Sequence, residues 1–154
     1  IVTSVFTYNM STWGLTKSQE EKIDRTHRKE LRKIWSDKNK KNTDVYKDSN
    51  EEPISTTMRK DRWRAFGHIL RLPEETPCQQ AMKYYFDKPY KAKKFSGRTR
   101  ITLPIKIDQD IKNSTNNFHV TKFENTEELN KLKEIASDRN RWKELIRSVA
   151  EGDR

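Results

Sequence analysis

Apolar residues are sparse along this chain and recur at intervals of three and four, the spacing of one helix face. From Ser18 to Trp35, Ile23, His27, Leu31 and Ile34 fall on one side, and Arg25, Arg28, Lys29 and Arg32 on the other. Ser18, with Glu21 three residues on, reads as a capping box for this helix. A second helix is predicted from Ser55, after Pro53, to Leu72, where Pro73 ends it. Ile54, Met58, Ala65, Phe66 and Ile69 form its apolar side, with Lys60, Arg64 and Arg71 opposite and His68 beside them. Gly67 costs about 1 kcal/mol against Ala inside a helix, and close approach of another element is the physical reason to keep it. Thr76-Pro77 reads as an N-cap with Pro at the first helical position, opening a short helix to Phe86 that buries Ala81, Met82 and Tyr85.

Farther on, Ile101, Leu103, Ile105 and Ile107 alternate as in a strand, but Pro104 would break a central ladder, so a helix over 104–112 is preferred. Asn125 with Glu128 caps a helix carrying Leu129, Leu132, Ile135 and Ala136, and Ser137 caps a last one with Trp142, Leu145, Ile146 and Val149 inward. Arg139, Lys143 and Arg147 make the basic face of that last helix. Ile1–Tyr8 is a short strand or a helix tail; 36–50 and 113–121 read as polar linkers, the first with room for one helical turn. The expected fold is all-α: an irregular assembly of about five or six helices, in one body or two small lobes, around a basic central loop. Its regions are 1–50 (helix and solvated linker), 51–112 (basic helical region with the loop 87–100) and 113–154 (C-terminal helical segment).

Composition limits the core. Of 154 residues, 31% are hydrophobic and 36% charged, so the four Trp must supply much of the buried area and are read as core. Cys78 is the single cysteine and cannot form an internal disulfide; it reads as a small buried hydrophobe. No stretch reaches the roughly 18 apolar residues of a bilayer span, which points to an intracellular protein of nucleus or cytoplasm with no membrane partner. The first residue is Ile rather than Met, the mark of a piece of something longer.

Charge changes the picture most. Residues 59–112 carry +8 of the formal +10, and a concentrated cationic field calls for a polyanion, nucleic acid above all. Within the loop, Lys88, Lys91, Lys93, Lys94, Arg98 and Arg100 are interleaved with Tyr90 and Phe95, and Gly97 lets a backbone come close. Arg98 and Arg100 can grip a phosphate through paired hydrogen bonds as lysine cannot. Further phosphate contacts are expected along 59–71, from Lys60, Arg64, His68 and Arg71. His68 has no second His or Cys at ligand spacing, so neither a metal site nor a catalytic histidine is read there. No catalytic residue, metal ligand or cofactor is expected, and no small-molecule substrate.

Several pieces, in order, resemble the C-terminal region of non-LTR retrotransposon reverse transcriptases, from the end of the thumb onward. Tyr8 through Trp13-Gly14-Leu15-Thr16 resembles that family's Y-G-x-E-T-W-x-L-T element, with Asn9 and Ser11 standing where it favours Gly and Glu. Arg62-Trp63-Arg64-Ala65-Phe66-Gly67-His68-Ile69-Leu70-Arg71-Leu72 resembles R-x-R-x-x-G-H-[VI]-x-R-[ML], and is the most specific match. Gly97-Arg98-Thr99-Arg100 resembles G-R-P-[RK], and Ala136-Ser137-Asp138-Arg139 with Trp142 resembles A-x-D-R-x-x-W. The resemblance implies a non-catalytic fragment that holds template, primer or element RNA beside an upstream palm and thumb. The chain has no Asp-Asp and no Y-x-D-D for the two metal ions of polymerisation. Two rival readings are a helical module docking on the missing polymerase domain or an acidic partner, and an autonomous nuclease, for which no carboxylate cluster is visible.

Overall fold

The computed structural model describes residues 7–34, 39–87, 101–113 and 126–151. Among the described residues, a 3-10 turn at Met10–Thr12 is followed by seven helices: α1 (Lys17–Ile34), α2 (Asn42–Ser49), α3 (Ile54–Arg71), α4 (Pro77–Asp87), α5 (Leu103–Asn113), α6 (Thr126–Ser137) and α7 (Arg139–Glu151). No strand occurs among the described residues. The fold is all-α, and Ile101 to Ile107 follows the helical alternative: Leu103–Asn113 is one helix that buries Ile107.

Local chemistry sets where the helices begin. The first cap lies two residues ahead of the expected Ser18. Thr16 N–H donates to Gln19 Oε1 at 2.8 Å, and Gln19 N–H donates to Thr16 Oγ1 at 3.3 Å, the reciprocal bonds of a capping box. The last helix is capped by Asp138 rather than Ser137: its Oδ1 accepts from Asn140 N–H at 2.8 Å and Arg141 N–H at 3.3 Å. Asp24, on α1, caps α3 from a distance, accepting from Ser55 N–H at 2.9 Å and Ser55 Oγ at 2.6 Å.

The first polar linker is more structured than its composition suggested. Asn42–Ser49 makes two turns of helix and buries Val45, while Tyr46 OH reaches the Asp24 carbonyl at 3.4 Å. This docking covers part of the expected solvent face of α1. Arg32 is half-buried and donates to the Lys40 carbonyl at 3.0 Å and Asn42 Oδ1 at 2.7 Å, and Arg28 lies 6.0 Å from the Tyr46 ring centre. Arg25 and Lys29 stay exposed, and Ile34, expected inside, is 73% exposed. Ala81 and Cys78 are also exposed, against expectation, because α4 turns Gln79 and Met82 inward. Gln79 Nε2 donates to the Ile69 carbonyl at 2.6 Å and so joins α4 to α3.

Helix α3 is the centre of the fold, in contact with the 3-10 turn, α1, α4, α6 and α7. Its first half packs Ile54 and Met58 on Met10, with Trp13, Leu15 and Ile23 around them. Its second half packs Trp63, Phe66 and Leu70 against Met82, Ile107, Leu129, Leu132, Ala136, Trp142, Leu145, Ile146 and Val149. Trp63, Phe66 and Trp142 form a triangle with ring centres 5.6 to 6.2 Å apart, as the large aromatics of a chain this polar must. Trp142 Nε1 donates to the Trp63 carbonyl at 3.1 Å. Gly67 has the close neighbour its sequence implied: a Cβ there would stand 2.1 Å from Trp142 Nε1.

Between the two apolar clusters lies a charged one. Asp110 of α5 is nearly buried; its Oδ2 accepts from Arg62 Nη1 at 3.0 Å and Trp63 Nε1 at 3.1 Å, and its Oδ1 lies 3.4 Å from Arg59 Nε. Glu20 of α1 accepts from Lys106 Nζ at 2.9 Å and sits 3.9 Å from Arg62 Nη2. Burial pushes the Asp110 carboxyl above its ordinary value, while Arg62, Arg59 and the two hydrogen bonds pull it back.

Three outcomes are expected from these contacts. Gly67→Ala gains helix propensity but drives a methyl into Trp142, and should lose about 2 kcal/mol in urea unfolding, in the range of overpacked cores. Asp110→Asn removes the buried carboxylate that Arg59 and Arg62 share and should cost about 3 kcal/mol or more, whereas Arg62→Met combined with Asp110→Leu should recover part of that loss. His27, on α1 beside Tyr46, has its imidazole held below the ordinary value chiefly by burial, with Glu51 and Asp24 opposing. The fold therefore favours neutral His27. Its contribution is intact above the unfolded value of 6.5 and is lost as pH falls through it toward the lowered folded value. The urea midpoint should drop between about pH 7.5 and pH 5.5, and His27→Phe should narrow that drop.

Candidate nucleic-acid interface

The ten candidate residues of the sequence fall into two groups. Lys88, Lys91, Lys93, Lys94, Arg98 and Arg100 lie outside the described residues. The other four, Lys60, Arg64, His68 and Arg71, share one side of α3. At about 100° of rotation per residue, they lie within about a quarter turn of one another.

Their surroundings differ. Lys60 is half-buried and its ammonium is paired with the Glu52 carboxylate. Arg64 is exposed and pairs with Asp61 one turn back, Nη1 to Oδ1 at 2.6 Å, with 63% of its side chain still in solvent. A pair that exposed is worth little and gives way readily to a stronger anion. His68 is exposed on the same side. Arg71 is exposed at the helix end, where Nη1 donates to the Ala136 carbonyl at 3.1 Å and leaves the rest of the guanidinium fork to solvent.

Two arginines in the span expected to contact phosphate are not available to it. Arg59 and Arg62 point into the protein, 7% and 2% exposed, and are committed to Asp110 and Glu20. The correction has a simple cause. Arg59 and Arg62 fall on the side of α3 that carries Met58 and Phe66, and there they meet a carboxylate placed on the facing helix. Lys106 is likewise internal. The net charge of residues 59–112 thus overstates the cationic surface they present.

Helix α7 carries a further basic face, which sequence alone does not tie to binding. Arg139, Lys143 and Arg147 are all exposed, while Trp142, between them in sequence, is buried against Gly67 and Trp63. Residues 88–100, which carry the remaining candidates, are outside the described residues. Where the described chain resumes, at Ile101, a Cβ on Gly14 would stand 2.9 Å from the Ile101 carbonyl oxygen.

Among the described residues, no group of three or more His, Cys, Asp or Glu side chains could hold a metal ion, and no helix is long and apolar enough to cross a membrane. What the exposed groups can do is electrostatic: donate hydrogen bonds to anionic oxygens and displace counterions. Compared with known proteins, the chain matches no family model, no curated protein and no solved structure, so its function is argued from these residues alone.

Proposed function

We propose that this chain is a non-catalytic, nucleic-acid-binding piece of a non-LTR retrotransposon reverse transcriptase, holding RNA or DNA by its phosphates. The observation that carries the binding is the outer side of α3. After Arg59 and Arg62 are spent internally, Arg64, His68 and Arg71 remain exposed together, at the spacing of one helix face. The cations at 88–100 would extend that surface, with Arg98 and Arg100 as its strongest phosphate contacts.

The resemblance gains support from where its residues meet. Gly67, from the most specific element, lies under Trp142, from the closing one. Gly14, from the first element, abuts Ile101, directly after Gly97-Arg98-Thr99-Arg100. Asn9, standing where the family favours Gly, has φ 56 and ψ 22, a left-handed backbone that Asn tolerates better than most residues. The elements thus behave as mutually dependent parts of one packing scheme. A palm and thumb upstream would supply the polymerase chemistry and are its intramolecular partners.

Fluorescence anisotropy across a salt series tests the binding. If about five or six phosphates are neutralised, log K against log salt should fall with a slope near −4 to −5. A flat dependence, or full affinity after Arg98→Ala with Arg100→Ala, would reject it. Displacement from a protein partner by the upstream polymerase domain but not by excess RNA would instead favour the protein-docking reading.

A further inference from the structure

The α3 surface has a companion on α7, and together they specify what form of nucleic acid fits. Resting on the binding function proposed above, we infer that the ligand is double-stranded, with one phosphate strand lying along α3 and the other along α7.

The two helices run in opposite directions where they pack. Arg71, at the end of α3, reaches Ala136, just ahead of α7, while Trp63 and Gly67, up to two turns earlier on α3, meet Trp142 within α7. Take the contact residues as origin, Gly67 on α3 and Trp142 on α7. At about 100° per residue, Lys60, Arg71, Arg64 and His68 lie about 20° to 100° around α3 in the positive sense. Arg139, Lys143 and Arg147 lie about 60° to 140° around α7 in the same sense. In two antiparallel right-handed helices, equal rotations away from the contact lead to the same side of the pair. The two rows therefore flank one seam.

Each row has a regular step. Four residues of helix rise about 6 Å, so Arg139, Lys143 and Arg147 form a ladder of roughly evenly spaced cations, and Arg64 and Arg71 set two more along α3. Packed helix axes lie about 8–10 Å apart, which sets the two rows of positive charge side by side with a shallow trough between them. A duplex offers the complementary shape: two lines of phosphates on either side of a groove. A single strand offers one line and is ordinarily held by stacking its bases on exposed aromatic rings. The large aromatic rings of this pair, Trp63, Phe66 and Trp142, are all buried in the core between α3 and α7, so the face has phosphate donors but, among the described residues of the two helices, no exposed ring larger than the His68 imidazole. On α7 the exposed carboxylate of Glu144 lies about 60° beyond Arg147, at the outer edge of the ladder and away from the seam.

The test uses the whole chain with a mixed-sequence 20-base-pair duplex and, separately, one of its strands. Arg139→Gln, Lys143→Gln and Arg147→Gln are combined in one variant, and Lys143→Glu is made alone in case the triple change disturbs folding; thermal melting followed by circular dichroism checks both. With three phosphate contacts gone, the triple variant should bind the duplex about a hundredfold more weakly at 150 mM salt, with a salt slope shallower by about 2.7. Its affinity for the single strand should fall less than tenfold. Lys143→Glu should weaken duplex binding by about tenfold or more with an unchanged melting temperature. Equal losses on duplex and single strand, or no loss on the duplex, would overturn the inference while leaving nucleic-acid binding intact. If the wild-type chain bound neither ligand, the binding function itself would fall.

Discussion

The Asp110 carboxylate lies where three helices meet: it takes hydrogen bonds from Arg62 and Trp63 of α3 and faces Arg59, while Lys106, one turn earlier on α5, joins Glu20 of α1. The rest of the arrangement depends on this contact because it sits between two apolar clusters that do not merge. On one side α3 packs on the 3-10 turn and α1, and on the other on α4 to α7. Buried ion pairs rarely add net stability over apolar residues of the same shape. They do impose a cost on any arrangement that leaves a partner unpaired, which is a way of selecting one register of α5 on α3. Three cations face two carboxylates, so the cluster tolerates the loss of neither acid.

The same contact decides which charges face outward. Here Arg59, Arg62 and Lys106 go in, and Arg64, His68, Arg71, Arg139, Lys143 and Arg147 stay out. The inward set is fixed by carboxylates in low-dielectric surroundings, where charge-assisted hydrogen bonds are strong. The outward set is held, where it is held at all, by an exposed i,i+3 pair and a carbonyl, contacts a phosphate can outcompete. Function, on this account, belongs to the second set and folding to the first.

Most of the helices could be read from the chain because period and punctuation agree there. Pro53, Pro73 and Pro77 bracket α3 and α4, Gly67 announced a close neighbour, and Trp63 and Trp142 are core. The inward arginines could not be read so directly, since solvent-facing and salt-bridged arginine have the same spacing. One signal was present: Asp110 falls on the apolar side of α5, between Ile107 and Ile111, and Arg59 and Arg62 fall on the side of α3 that carries Met58 and Phe66. Opposite charges at matched places on two buried faces imply a pair. Helix α2 was obscured for a different reason. Its stability comes from Tyr46 and Val45 docking on α1, a tertiary contact that local composition does not encode. The cap positions slipped by one or two residues because Thr16 and Ser18, or Ser137 and Asp138, are chemically close competitors, and only the hydrogen bonds choose between them.

The residues that carry the family resemblance turn out to divide in the same way. Arg62, Gly67, Asp138 and Trp142 have internal duties: an ion pair, a close approach, a helix cap and a core ring. They are the positions at which a substitution would have to be answered elsewhere in the fold, which is why such positions make recognisable elements. Arg64, His68 and Arg71 alternate with them in the same segment yet point outward. A single helix thus serves two surfaces at once: its inner side is tied by Gly67 and Arg62 to helices on either flank, and this holds its outer side in fixed relation to α7. The geometry of the cationic seam is therefore a consequence of the core contacts. Loosening the Gly67 and Trp142 contact would misalign the two rows without removing a single charge.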